Sequence, residues 1–159
     1  MKTYIGIDPG EEGFLAAIGD SIRSYISIKD THPLDIAKWL EELSHDDCFA
    51  AIEDVHALYG ASAVSTFNFG YCKGWLVGLL TALQIPYTMV APKDWQREIW
   101  ERCDKVMDGN KVVTKATSIN CAKRLFPYVD LRRTEKCKNP DHNKADSLLI
   151  LEYARRKNL

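Results

Sequence analysis

The chain has 159 residues, 46% of them hydrophobic and 27% charged, with a formal net charge of −1. That length predicts one domain over 1–159 that buries about two thirds of its unfolded surface, so it needs neither metal nor disulfide to fold. The longest nearly uncharged stretch, 74–89, contains Gly, Gln and Pro and falls short of the ~20 apolar residues of a membrane span.

Residues 3–8 read as a buried strand that leaves through Pro9-Gly10, and 13–18 as a second strand after a short turn. Residues 22–28 alternate apolar with polar side chains, as at a sheet edge. Pro33 opens a helix carrying Leu34, Ile36, Ala37, Leu40 and Leu43 at helical spacing, and 48–52 form a fourth strand. A long helix is expected over 62–84, with Gly70, Gly74 and Gly78 on one stripe where another backbone can approach, inside the fold or across a dimer. Residues 86–90 make a fifth strand, and Pro92 starts the helix of Lys93-Asp94-Trp95-Gln96. The closing helices are expected over 111–126 and 144–156, and 101–110 and 127–140 as mobile loops. Three strands, a helix and then strand-helix alternation predict an α/β fold, a mixed sheet with helices on both faces.

The N-terminus runs directly into a strand, which leaves no room for a leader peptide. Cys48, Cys72, Cys103, Cys121 and Cys137 are odd in number and contain no C-x-x-C pair. Reduced thiols in the cytosol are expected, with Cys48 and Cys121 in the core. Cys137-x4-His142 lacks the second pair that structural zinc requires.

Three acids far apart in sequence stand at element ends: Asp8 after the first strand, Glu53 after the fourth, and Asp146 near the start of the last helix. If the first and fourth strands are neighbours, Asp8 and Glu53 emerge at the same edge, where ligands of open sheets collect. Asp146 joins them if the last helix packs across, its carboxylate favoured by the helix N-terminus. Clustered carboxylates without a cation repel and raise one another's pKa, so the set suggests Mg2+ and phosphodiester hydrolysis. Singly, each acid also reads as a turn or helix cap.

Charge is divided along the chain. Residues 1–90 carry a net −7 and residues 91–159 a net +6, a pattern that suits a polyanionic partner on one side. Lys111/Lys115, Lys123/Arg124, Arg132/Arg133 and Lys136/Lys138 supply local clusters for phosphate contacts.

Ile5-Gly6-Ile7-Asp8-Pro9-Gly10 with Gly13, Ile52-Glu53-Asp54-Val55 and Ala145-Asp146-Ser147-Leu148-Leu149-Ile150 resemble the RuvC-type Holliday-junction resolvases, above all their small phage-borne relatives. Phe67-Asn68-Phe69-Gly70 with Gly74 and Gly78, and Val90-Ala91-Pro92-Lys93-Asp94-Trp95, extend the resemblance over nearly the whole chain. It implies a ribonuclease-H-like mixed five-stranded sheet, a homodimer and a Mg2+-dependent endonuclease, with Mn2+ as substitute, that cuts opposed strands of a four-way DNA junction. It further implies a bacterial cytosol or a phage-infected host cell. Asp8, Glu53 and Asp146 match the metal-binding carboxylates. The family's further acid or histidine before the last carboxylate falls among Asp141, His142 and Asn143, with His142 favoured as catalytic residue, Asp141 close behind as a metal ligand, and the fourth ligand open among the three.

Lys144 is a candidate for the scissile phosphate, and Lys93, Lys111 and Lys115 for backbone phosphates, the last two one helical turn apart. Tyr59 stands where an aromatic could stack on an unpaired base. Phe67, Phe69, Trp75, Trp95 and Trp100 read as core or dimer-interface aromatics. Gly6-Ile7-Asp8-x-Gly10 also resembles the first phosphate loop of actin-like ATPases, whose second lobe 159 residues cannot supply. A related nuclease trimming structured RNA and a non-catalytic junction-binding protein are the alternatives.

Overall fold

The structure is a computed structural model that describes residues 2–20, 23–45, 47–55, 60 and 62–159. Five strands, β1 (Thr3–Asp8), β2 (Phe14–Ile18), β3 (Arg23–Ser27), β4 (Cys48–Glu53) and β5 (Tyr87–Val90), form a sheet in the order β3-β2-β1-β4-β5. β1 runs antiparallel to β2 and parallel to β4, and β4 is parallel to β5. The sheet is therefore mixed and five-stranded, as expected.

Side-chain alternation along β1 divides the core in two. Ile5 and Ile7 join the cluster under α1 (Pro33–Ser44) and α2 (Ala63–Ala82). Tyr4 joins the opposite cluster, under α3 (Pro92–Ile99), α4 (Thr114–Leu125) and α5 (His142–Lys157). Asp8 follows Tyr4 and Gly6 on that second face by the period-2 rule. Gly6 lets α5 lie directly on the sheet. A Cβ there would stand 2.0 Å from the Ser147 carbonyl oxygen and 2.6 Å from the Leu151 nitrogen.

Two expectations change. Residues 101–110 are not a featureless loop, and α4 does not begin at Lys111. A 3-10 turn over Arg102–Asp104 leads into a hairpin of β6 (Met107–Asp108) and β7 (Lys111–Val112). Lys111 therefore lies on a strand, not one helical turn before Lys115. The Gly109-Asn110 turn reverses the chain before the helical pattern can start, with Gly109 at φ +57°. The stretch 127–140 carries no helix but is held down: Leu131 is buried, Arg132 bridges to Pro140, and Arg133 is ion-paired.

Among the described residues, nothing packs against the glycine stripe of α2. A Cβ on Gly70, Gly74 or Gly78 would meet no atom within 4 Å, and Phe67 and Tyr71, stacked on each other, are 70% and 65% exposed nearby. Trp95 is fully buried, while Trp75 and Trp100 pack partly buried against the cores. None of the five cysteines forms a disulfide, and Cys48, Cys72 and Cys121 are buried. Among the described residues no helix is long and apolar enough to cross a membrane.

Candidate active site

Asp8 ends β1 and Glu53 ends β4, one step beyond the parallel pair Ile7 and Ile52, so both carboxylates emerge at the same edge of the sheet. Asp146 comes from α5, which the missing Gly6 side chain lets settle against β1. The helix starts two residues earlier than the sequence suggests, at His142, because Asp141 caps it. Asp141 accepts from the Asn143 nitrogen at 2.8 Å and the Lys144 nitrogen at 3.4 Å. Asp146 consequently stands a full turn inside the helix, beyond the free N–H groups of its first turn. His142 and Asp146 are four residues apart on that helix and share a face.

The three acids sit in a strongly unfavourable setting for negative charge. Burial, then the charges of Asp146 and Glu53, hold the Asp8 carboxyl well above its ordinary range, against a backbone hydrogen bond from Gly10. Burial likewise raises Glu53, partly offset by the Trp95 indole, whose Nε1 donates to Glu53 Oε1 at 2.9 Å. Asp146 is pushed up to about 7 by burial, with Glu53 and Asp141 adding to the rise and the Ser118 hydroxyl and Lys115 opposing it. Its Oδ1 is buried and has no hydrogen-bond partner among the described residues. An unsatisfied buried acceptor costs roughly 1–3 kcal/mol.

Among the described residues no three His, Cys, Asp or Glu side chains already close around a point at ligand distance. The donor chemistry nonetheless fits a hard divalent cation. All three groups offer carboxylate oxygens, one oxygen is orphaned, and a cation would offset the repulsion that holds the charges apart.

The other candidates divide. Lys115, in the first turn of α4, is near enough to act electrostatically on both Asp146 and His142. His142 is half-buried, its pKa pushed below the ordinary value by burial and then by Lys115. Asp141 is close enough to raise Asp8, yet its oxygens are engaged, one by the helix cap and the other by Arg133 Nε at 2.7 Å. Lys144 turns to the flank: its Nζ donates to the Arg132 carbonyl at 3.2 Å and lies 5.0 Å from the Tyr25 ring centroid. Lys93, in the first turn of α3, follows the strand end where Val90 pairs with Glu53. Lys111 is on the hairpin, and Tyr59 lies outside the described residues.

Three participants were not legible as site residues. Trp95 reads as a core aromatic from sequence, and its fixing by the edge-on ring of Trp100, 5.7 Å away, depends on tertiary packing. Ser118 follows Lys115 on α4 at a spacing that places both on one helix face, but nothing in sequence aims that face at Asp146. Arg133 reads as one of a basic pair, whereas its guanidinium joins Asp141, Ser27 and Asp30 at 2.7, 2.9 and 3.2 Å and lies over the Phe14 ring.

Sheet order, crossovers and helix placement define an α/β, ribonuclease-H-like fold. Two solved structures similar to it are RuvC proteins. One, the T. thermophilus RuvC in complex with Holliday junction substrate, is 14% identical, with a TM-score of 0.60 over 99% of this chain and 97% of that one. The other, a Thermus thermophilus RuvC, is 15% identical, with a TM-score of 0.58 over 98% and 96% of the two chains. No protein-family model and no curated protein matches the chain. At these identities the likeness establishes the fold.

Proposed function

We propose that this chain is a divalent-metal-dependent endonuclease that resolves four-way DNA junctions as a homodimer, with Mg2+ as cofactor and Mn2+ able to replace it. The observation that carries the reading is the convergence of Asp8, Glu53 and Asp146 at one sheet edge, with an orphaned Asp146 oxygen. Likeness to a RuvC solved with a Holliday junction supports the substrate class.

Asp8, Glu53 and Asp146 would hold the metal. When bound, it supplies charge that polarises a phosphodiester and lowers the pKa of water. Trp95 fixes one Glu53 oxygen, which leaves the other directed by a rigid side chain. His142, neutral at pH 7 because its pKa is lowered, can accept a proton or serve as a further ligand. Lys115 brings a cation near Asp146 and would hold the phosphate that is cut. Lys93 adds a cation at the neighbouring strand end. The exposed face of α2, with its open glycine stripe and the Phe67–Tyr71 pair, is the surface through which two copies would meet and present two sites to opposed strands.

The test offers purified protein and Mg2+ a four-way junction, a flap, linear duplex and structured RNA at one salt concentration. Paired incision of the junction in preference to the others is expected. Preferential cutting of RNA would transfer the reading to RNA processing, and binding without incision would leave a junction-binding protein.

A further inference from the structure

Between α3 and α4 the chain builds a small exposed element that carries free positive charge. Elsewhere in the basic C-terminal part, arginines are spent on internal partners: Arg124 on Asp104 and Glu101, Arg155 and Arg156 together on Glu152, Arg133 on Asp141. Arg102, Lys105 and Lys111, in contrast, are exposed and make no ion pair or side-chain hydrogen bond among the described residues. All three lie on the turn and hairpin that lead into Lys115.

The hairpin is exposed yet anchored. Met107, the first residue of β6, is 52% exposed, and Lys111 pairs across from Asp108 around the two-residue turn Gly109-Asn110. Gly109 takes the positive φ that the first central position of a type II′ turn needs. A two-stranded ribbon alone is marginal in water, so its base must hold it. Val113 donates to the Val106 carbonyl at 2.8 Å, and the Val106 nitrogen donates to Thr117 Oγ1 at 3.0 Å. Below these, buried Asp104 accepts from Arg124 at 2.7 and 2.8 Å and from the Glu101 nitrogen at 2.8 Å. The ribbon is thus fixed to α4 within a few residues of Lys115, the lysine that acts on Asp146 and His142.

We propose that the β6–β7 hairpin is a prepositioned DNA-contact ribbon that enters the major groove of the duplex arm beside the cut phosphate, with Arg102, Lys105 and Lys111 on its phosphates. A major groove about 12 Å wide admits a two-stranded ribbon, and an element ordered before binding loses little entropy on contact. The assignment rests on the nuclease reading of the carboxylate site.

The experiment measures junction affinity by fluorescence anisotropy in Ca2+ over a series of KCl concentrations. The subjects are the full chain, an Arg102→Gln/Lys105→Gln/Lys111→Gln variant and a Lys38→Gln/Arg97→Gln/Lys157→Gln variant with the same change in charge, whose three residues sit in exposed surface pairs. Each phosphate contact contributes about 0.9 to the slope of log K against log salt. The hairpin variant is expected to lose about 2–3 from that slope and at least about tenfold in affinity near 0.1 M salt, with an unchanged melting temperature. The charge-matched variant is expected to keep the parent slope. A parent that binds the junction with the same slope as the hairpin variant overturns the ribbon while leaving the nuclease reading intact. Equal flattening in both variants also overturns it, since net charge then explains the loss. A parent that neither binds nor cuts the junction overturns both.

Discussion

The carbonyl oxygen of Ser147 occupies the space that a side chain on Gly6 would fill, and a Cβ there would stand 2.0 Å from it. This contact between the central strand and the last helix brings Asp146 to the edge where Asp8 and Glu53 emerge. Backbone cannot yield as the end of a flexible side chain can. Gly6→Ala is therefore expected to reach or exceed the upper end of the ~1–3 kcal/mol cost of overpacking. Urea unfolding measures it; an unchanged midpoint would mean that α5 is not held by this contact.

Asp146 gives the site a pH signature. Its pKa is raised to about 7 from an ordinary 3.8, so the folded chain binds a proton that the unfolded chain has released. Without a divalent cation, its contribution makes stability fall as pH rises from about 4 to about 7. Thermal unfolding of the metal-free protein should show this fall, Asp146→Asn should reduce it, and Mg2+ at pH 8 should raise Tm. A Tm indifferent to Mg2+ at pH 8 would count against a cation between these carboxylates.

Asp141 and His142 can be separated as metal ligands. With its oxygens engaged by the helix cap and by Arg133, Asp141 has little left for a cation. Asp141→Asn should keep Mg2+ affinity within about threefold while His142→Ala weakens it further, read by calorimetric titration, since supporting groups alone can change affinity by about 10–100-fold. The reverse order would make Asp141 the ligand. Arg133→Met, which strands Asp141 partly buried, should destabilise the fold by about 3–5 kcal/mol in urea.

Gly74 separates assembly from folding. Among the described residues its Cβ direction is open, so Gly74→Leu meets no neighbour at Cβ and adds about 0.5–1 kcal/mol of helix preference. A bulky side chain would nonetheless block the close approach of a second α2. Sedimentation velocity should show the parent as a dimer and the variant as a monomer of undiminished Tm. A dimeric variant would place the interface elsewhere.

Much of this was legible in sequence because the informative residues obey local rules. Asp8 and Glu53 end apolar runs of strand length, while the parallel pairing of those strands, a condition in the sequence reading, is seen only in the fold. The start of α5 was misplaced by two residues because Asp141, Asn143 and Lys144 can all stand at a helix start. Only the observed hydrogen bonds identify Asp141 as the cap. The hairpin was read partly as loop and partly as helix because its strands are two residues each, too short for periodicity to register. Arg133, Ser118 and Trp95 were missed as site residues for a different reason. Their partners lie across the tertiary fold, where neither spacing nor propensity carries information.

The central claim is that the Asp8, Glu53 and Asp146 carboxylates together make a metal-dependent DNA-cutting site. It is tested most directly by cleavage of a four-way junction in Mg2+ by the parent and by Asp8→Asn, each at a concentration that saturates the DNA. The parent is expected to make paired incisions in opposed strands, and the variant to bind the junction with no incision above background. An Asp8→Asn protein that cuts at the parent's rate would contradict it.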